Sequence, residues 1–313
     1  SDEYYKWAKA RSDDPSIENV RVDPDDPTRW AYMGNTNWNN YFFNKANFSQ
    51  YHTISLNGSS ADNAKLPVNY LLSADYTNEN GLIKITKDDW TRYGLRGNLS
   101  LTPLRWLKVD NNLSVYQLKR DAPTYSVTDV YYLQPTNVVK NPDGTWGNNS
   151  AGRLAAQLTD GGRNQQTRFG FQDIARATAS FLNNELQITA DASFKRELWK
   201  YHIESLPYLI GYGPDDIRQE NSIGSISETN GTVGQDVFDV YVNYNKNFGE
   251  HAIKLLAGYN QESYEWSPVT ASKTGLISAS VPYIGLTTGD AVISATGGGS
   301  DYYAYAIRSW FGR

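Results

Sequence analysis

Apolar and polar residues alternate along most of the chain beyond residue 50, and a period of two is typical of β-strands with two unlike faces. In the segment 68–77, Val68, Tyr70 and Leu72 share one face while Asn69 lies on the other. Most such segments are close to the ~9–11 residues with which a tilted strand crosses a bilayer. The pattern predicts nine strands, at 51–60, 68–77, 90–101, 107–116, 172–182, 186–195, 237–248, 252–264 and 302–313.

The connections between these strands alternate between two lengths. Short turns are predicted at Ala61–Pro67, Thr102–Trp106, Asn183–Asn184 and Gly249–His251. Longer connections are predicted at 78–89, 119–171, 200–236 and 265–301. An antiparallel meander with all its short turns at one end is typical of an outer-membrane barrel, and connections as long as the last three are uncommon in compact soluble domains.

The two faces of the predicted strands differ as a water-filled barrel in a membrane requires. One face is apolar and carries aromatic residues near the strand ends, where a lipid interface favours them. A soluble sandwich also has strands with one polar face, so the faces alone do not separate the two folds. The charged residues that we expect on the lumen side are Arg92, Arg96, Asp110 and Asp191.

The first 50 residues are predicted to be a loop and short-helix segment that leads into the strands, and residues 51–313 to be part of one barrel domain. Residues 2–11 favour a short helix, after which prolines interrupt regular structure. The acidic run at 23–27 is predicted to be a solvated loop, with calcium binding as the alternative. Neither end resembles a natural terminus, and nine strands cannot close a bacterial barrel. We therefore expect an internal part of a longer protein.

Composition excludes several classes of protein. The chain has 313 residues, a formal net charge of −5 and no cysteine, which excludes zinc ribbons, thiol nucleophiles and disulfide scaffolds. Without a basic block it is a poor nucleic-acid binder. No stretch approaches the ~20 apolar residues of a membrane-spanning helix. Aromatic residues make up 13% of the chain, which argues against disorder.

Catalytic and metal-binding patterns are not found in the sequence. Three histidines, His52, His202 and His251, lie in separate elements without a metal-ligand spacing, and no GxSxG motif places a nucleophilic serine. We therefore predict no catalytic residue, no metal site and no cofactor. Binding is the better candidate, because aromatic rings in the predicted long connections stack on sugars or on peptide side chains. The aromatic candidates for ligand contact are Trp146, Tyr131, Tyr132, Tyr208, Tyr212 and Trp266.

Three segments resemble one known family. The stretch 34–60, with Asn35-Thr36-Asn37-Trp38 near its start and Gly58-Ser59 near its end, resembles the stretch that opens the barrel in the SusC/RagA family of TonB-dependent outer-membrane transporters. The hairpin 70–101 is similar to the next two strands of that family. The final residues 309–313 resemble a Ser-aromatic-Phe-Gly-Arg strand start found further along these barrels. The remainder of the chain agrees only in its strand rhythm.

The resemblance implies an all-β, antiparallel transmembrane barrel of about 22 strands with a plugged lumen and long extracellular loops. It also implies import of oligosaccharides or oligopeptides across the Gram-negative outer membrane. A SusD-like surface lipoprotein would capture the ligand, and the TonB complex would act on the plug from the periplasm. This chain contains no TonB box, plug or C-terminal barrel signal. The four lumen charges would then contact the plug or line a solvated pore wall.

A hypothesis from another class is a soluble β-rich domain that binds carbohydrate or processes glycosides. The two hypotheses differ in where the apolar face of the strands lies. A barrel segment exposes that face around the outside of one sheet, whereas a soluble sandwich packs it into a dry core between two sheets.

Overall fold

The computed structural model describes residues 2, 3, 6, 7, 19–61, 64–296 and 301–313. This part of the chain is nearly all β, with 62% strand and 10% helix, and one large antiparallel sheet of about ten strands dominates it. The predicted all-β, antiparallel fold is therefore confirmed. Most of the predicted helix over residues 2–11 lies outside the described residues, as does the glycine run at 297–299.

The large sheet follows the order of the chain. Its strands are β3 (Ser49–Ser59), β4 (Val68–Asn80), β5 (Asp89–Leu104), β6 (Leu107–Pro123), β8 (Arg163–Phe181), β9 (Leu186–Ser205), β12 (Ser225–Phe248) and β13 (His251–Thr274), with β14 (Val292–Ser294) and β15 (Tyr303–Gly312) both paired to β13. Two small sheets accompany it. They contain β1 (Val20–Val22) with β2 (Trp30–Tyr32), and β7 (Trp146–Gly147) with β10 (Tyr208–Gly213) and β11 (Asp216–Glu220).

Short helices occur only in the connections of the described chain. They are α1 (Trp38–Phe42), α2 (Ser150–Thr159) and the 3₁₀-helices Val127–Tyr132 and Ile284–Leu286. The side chain of Asn149 caps α2 by accepting hydrogen bonds from the backbone N–H groups of Ala151 and Gly152, each at 3.1 Å. None of the helices in the described part of the chain is long and apolar enough to span a bilayer.

All nine predicted strands are present, but several are longer than predicted. β9 continues to Ser205 and β12 begins at Ser225, so the predicted 200–236 connection is wrong and only 206–224 separates the two strands. Likewise β13 continues to Thr274 into the predicted 265–301 connection. These extensions contain charged, aromatic and small residues on both faces, so their hydrophobic alternation is weak. Hydrogen bonding to already formed neighbouring strands extends them nonetheless.

The predicted separation into short and long connections holds for all but the first two. Residues 60–67, predicted to be a short turn, and residues 81–88, predicted to be a longer connection, are both eight residues long. The turns between β5 and β6, β8 and β9, and β12 and β13 span two to four residues at one end of the sheet. In the turn after β8, Leu182, Asn183 and Asn184 all adopt positive φ angles, and Asn tolerates this left-handed region better than most residues. Gly249, with φ of 61°, makes the corresponding turn after β12. The longer connections all leave the opposite end, which we call the loop end.

The apolar face of the large sheet is exposed. Leu72 and Leu95, at the centre of this face, keep 54% and 61% of their surface accessible, and no second sheet of the described chain packs on them. A soluble sandwich would bury these side chains, at roughly 1.5–3 kcal/mol each. The arrangement is the one expected of a barrel wall whose outer face meets lipid.

The main hydrophobic core lies among the loops rather than on the sheet. We call it the loop core. Its buried members come from α1, the 3₁₀-helix Val127–Tyr132, the loop that follows this helix, and α2: they are Trp38, Phe42, Val130, Val139, Ala151, Leu154, Ala155 and Leu158. Backbone hydrogen bonds join the segment before β3 to the loop after β6, such as Gly34 N–H to the Thr136 carbonyl at 2.8 Å. The loops at this end therefore form a folded unit.

Candidate functional site

The polar face of the large sheet carries one continuous row of side chains across eight strands. Strand register places Asp75, Gly94, Tyr116, Gly170, Glu197, Val233, Trp266 and Tyr303 side by side. The next row toward the loop end includes Arg92, Arg168 and Trp199, with Arg168 directly opposite Trp199. These two rows hold the densest group of polar contacts on this face, and they form the candidate site.

Glu197 is the anion at the centre of this group. It is only 8% exposed, and it accepts hydrogen bonds from the Tyr116 hydroxyl and from Trp199 Nε1, each at 2.9 Å. Lys195 Nζ lies 3.1 Å from the same carboxylate. Tyr116 reaches Glu197 by lying over the intervening Gly170, where a Cβ atom would overlap its ring. The carboxylate is thus fully partnered, as a buried charge must be.

Arg168 has a different environment. Its guanidinium carbon stacks 3.3 Å from the centre of the Trp199 ring, a cation–π contact. The Trp266 ring lies 5.5 Å from Trp199 in an edge-on arrangement, over Gly231. Arg168 Nε and Trp266 Nε1 are both buried without a hydrogen-bond partner. We call Tyr116, Arg168, Glu197, Trp199 and Trp266 the Trp199 cluster.

The four charges predicted to face the lumen all lie on this polar face. Arg92 Nη1 is 2.7 Å from Asp75 Oδ2, and its guanidinium carbon lies 5.4 Å from the centre of the Tyr116 ring. Arg96 is exposed and lies one polar-face position beyond Gly94, toward the short-turn end of β5. Whether these side chains contact a plug stays a prediction.

The other two predicted charges belong to a separate network near the short turns. Asp110 pairs with Lys108 at 2.9 Å, and Asp191 holds Arg176 through two contacts of 2.5 and 3.1 Å. Each carboxylate therefore has a basic partner. The polar face is strongly charged at this level, but its pairs are mutually neutralised.

The loop aromatic residue Trp146 is held within the loops. It opens β7 immediately after the turn that joins Asn141 to Thr145. Its Nε1 donates to Asp160 Oδ2 at 2.6 Å, and the Lys140 ammonium lies 3.1 Å from the centre of its ring. Burial lowers the pKa of Lys140. Packing occupies one face of this ring, which leaves less of it for a ligand.

Tyr208 and Tyr212 both lie on β10, beneath the loop core. Tyr208 is buried, and Gln157 of α2 donates to its hydroxyl at 3.1 Å. The Tyr212 hydroxyl accepts from Arg153 at 2.7 Å and donates to Glu220 at 2.8 Å. Hydrogen bonds from Tyr212 and Arg153 lower the pKa of Glu220. These tyrosines stabilise the loops from within.

Tyr131 and Tyr132 are the aromatic candidates that remain free. They end the 3₁₀-helix at the loop end and keep 81% and 83% of their surface exposed. The placement of Trp266 in a loop was wrong, because this residue lies within β13 and its ring belongs to the Trp199 cluster. The error follows from β13 being ten residues longer than its alternation indicated.

Sequence reasoning missed four residues of the Trp199 cluster, which are Tyr116, Arg168, Glu197 and Trp199. The last three lie on strand segments that were predicted to be loop or to lie just beyond a strand end. The one available signal was the repeated i, i+2 spacing of polar and aromatic residues in Lys195, Glu197 and Trp199. No group of His, Asp or Glu side chains in the described chain is arranged to hold a metal ion.

Comparison with known proteins gives a likeness in fold. No protein-family model and no curated protein sequence matches this chain. Among solved structures it is similar to chains of the RagAB peptide importer in its "closed-closed" and "open-open" states, each at 17% identity, with TM-scores of 0.65 and 0.66. It is also similar to a chain of the RagAB peptide transporter, at 16% identity and a TM-score of 0.64.

These matches cover 95–98% of this chain but only 32–33% of the others, so the chain spans about a third of their length. The solved structures that it resembles are transporters rather than enzymes.

Proposed function

We propose that this chain is part of the barrel wall of a TonB-dependent outer-membrane importer of the SusC/RagA kind. The observation that carries the proposal is the single antiparallel sheet with an exposed apolar face, a charged opposite face and all long connections at one end. The likeness in fold to RagAB chains supports it independently. The sequence resemblance over residues 34–101 and 302–313 points the same way.

Oligopeptides are the proposed cargo in preference to oligosaccharides. The similar solved structures are described as peptide importers. The Trp199 cluster favours the same choice, because it combines an unpaired guanidinium with tryptophan rings on the polar face. Peptides offer carboxylates and apolar side chains that match both features, whereas neutral sugars offer no anion.

A surface lipoprotein of the SusD kind is the proposed partner at the loop end. The loop core gives this end a folded, preorganised surface, and the exposed Tyr131 and Tyr132 project from it. Tyrosines are enriched at protein interfaces because a rigid ring buries a large area at low entropic cost. Energy for import would come from the TonB complex through a plug that this chain does not contain, and no reaction would be catalysed.

Uptake by cells that carry the intact protein tests the proposal. Fluorescent oligopeptides and oligosaccharides of matched size would be compared in cells with and without a functional TonB complex. We expect peptide uptake that disappears when TonB or the intact protein is deleted. Peptide uptake that persists without TonB would contradict the proposal. TonB-dependent uptake of the oligosaccharide alone would show that the cargo is a sugar and not a peptide.

A further inference from the structure

We infer that Arg168 is the anchor of a carboxylate-binding site on the lumen wall, which takes an acidic side chain or the C-terminus of an oligopeptide cargo. This inference rests on the proposed function and names the chemistry that the cargo must carry. It arises from the cation of the Trp199 cluster, which no anion of the described chain neutralises.

Two cations near the cluster have a carboxylate partner, whereas Arg168 has none. Arg92 is held by Asp75 at 2.7 Å, and Lys195 is held by Glu197 at 3.1 Å. Within the described chain, the Arg168 side chain has neither an ion pair nor a hydrogen bond. Its Nε atom is buried and unsatisfied, which costs free energy unless an acceptor reaches the group.

Glu197 cannot fill this role, because its oxygens are already engaged. One oxygen accepts from Tyr116 and faces Lys195, and the other accepts from Trp199. By fixing Trp199 through its indole N–H, Glu197 instead fixes the surface on which the Arg168 guanidinium stacks. A guanidinium stacked flat on a held ring is preorganised, and its fork matches the two oxygens of a carboxylate.

A second unpaired donor belongs to the same cluster. Trp266 is 8% exposed, and its Nε1 is buried without a partner. Its ring is held against Trp199 and over Gly231, so the indole cannot turn away to find one. Two buried N–H donors without partners in one cluster indicate that the site suits a ligand that accepts hydrogen bonds.

The distance of the cluster from the short turns favours the transported peptide as the source of the hydrogen-bond acceptor. Arg168 lies thirteen residues before the end of β8 at Phe181, which is roughly 30 Å above the short turns for a strand tilted by about 45°. This height exceeds the ~25 Å apolar band of a transmembrane barrel. The cluster thus lies at the mouth of the lumen, where a ligand enters from the loop end.

The experiment compares two fluorescent decapeptides of one sequence on the intact protein in detergent. One has two glutamates and a free C-terminus, and the other has glutamines and a C-terminal amide. The wild-type protein is expected to bind the acidic peptide about tenfold more tightly, the effect of one charge-assisted hydrogen-bonded pair. Arg168→Gln should remove this preference, so that the two peptides bind with equal affinity, while Arg168→Lys should keep part of it.

Arg196→Gln is the matched control, because Arg196 lies on the opposite face of β9 and is held by Asp236 at 2.6 Å. It should retain the full preference. Resistance of the folded band to detergent before heating shows that each variant has folded. Equal binding of both peptides to the wild type, or a preference that survives Arg168→Gln, would overturn the inference while the peptide-import proposal stands. If neither peptide binds the wild type, peptide import fails and the carboxylate site fails with it.

Discussion

Replacing Leu72 with arginine is expected to destabilise the protein much more than the same change at its neighbour Leu71. The two leucines are adjacent on β4, but Leu72 lies on the apolar face with 54% of its surface exposed, whereas Leu71 is half-buried on the polar face. Leu71 pairs with Asn57 and Asn98, so an arginine there meets polar neighbours and water. The two variants therefore place the same substitution on the two faces of one strand, at nearly the same distance from the short turns.

The size of the effect follows from the position of Leu72 in the strand. It is four residues from Val68 at the short-turn end, which places it roughly 10 Å above that end, inside the ~25 Å apolar band of a barrel. Arginine facing lipid costs about 2–4 kcal/mol at the midplane and about 0–1 kcal/mol near the interfaces. We therefore expect a loss of about 2 kcal/mol for Leu72→Arg. In water, a change at so exposed a position would fall within about ±0.5 kcal/mol.

The measurement is the guanidinium midpoint of the intact protein in phospholipid vesicles, followed by tryptophan fluorescence, with heat-modified mobility on gels as a second readout of the folded barrel. Leu71→Arg is the control and should shift the midpoint less than half as far. If the two variants lose equal stability, or if Leu72→Arg loses none, then the exposed apolar face does not meet lipid and the barrel interpretation is wrong.

Three further predictions follow from the polar face and the loops. Tyr116→Phe removes one of the hydrogen bonds to the buried carboxylate of Glu197 and should lower stability by about 1–2 kcal/mol in the same unfolding assay; an unchanged midpoint would show that the bond contributes nothing. The hydrogen bonds that lower the pKa of Glu220 stabilise the loops while its carboxylate is ionised. This stabilisation is fully present above about pH 4.3, the ordinary pKa of glutamate. That stabilisation is lost as pH falls through the lowered pKa, so the protection of the α2 amides, relative to their intrinsic exchange rates, should hold from pH 8 to 5 and fall only below about pH 4. Glu220→Gln should lower this protection above pH 5 and match the wild type at low pH. Replacing Tyr131 and Tyr132 together by alanine should weaken co-purification of the surface lipoprotein without altering the folded barrel, and undiminished co-purification would remove them from that interface.

The strand rhythm was predictable from the sequence because each strand must present one face to each environment. Val68, Tyr70 and Leu72 alternate with polar neighbours over the length that crosses the apolar band. Above that band both faces meet water or protein, so the constraint on every second residue disappears. For this reason β9 was predicted to end ten residues early and β12 to begin twelve residues late.

The loops were predictable only in part for a related reason. The turn before Trp146 has the local Asn-Pro-Asp-Gly signal that a sequence can show. The fold of α2 against α1 depends on contacts between residues more than a hundred positions apart, and no local pattern encodes them. The Trp199 cluster depends in the same way on the register of four strands, so its members were not recognisable as neighbours.

The central claim is that each long strand has one face toward lipid and the other toward water. This chain contains no cysteine, so single cysteines introduced in turn at residues 68–77 of β4 are the labelling sites within it, once any cysteine elsewhere in the intact protein has been replaced by serine. In the intact protein in vesicles, spin labels at Val68, Tyr70, Leu72 and Ala74 should be relaxed by oxygen dissolved in the bilayer, and labels at Asn69, Leu71, Ser73 and Asp75 by a water-soluble nickel chelate, with a period of two. Equal access of the nickel chelate to both sets would contradict the account.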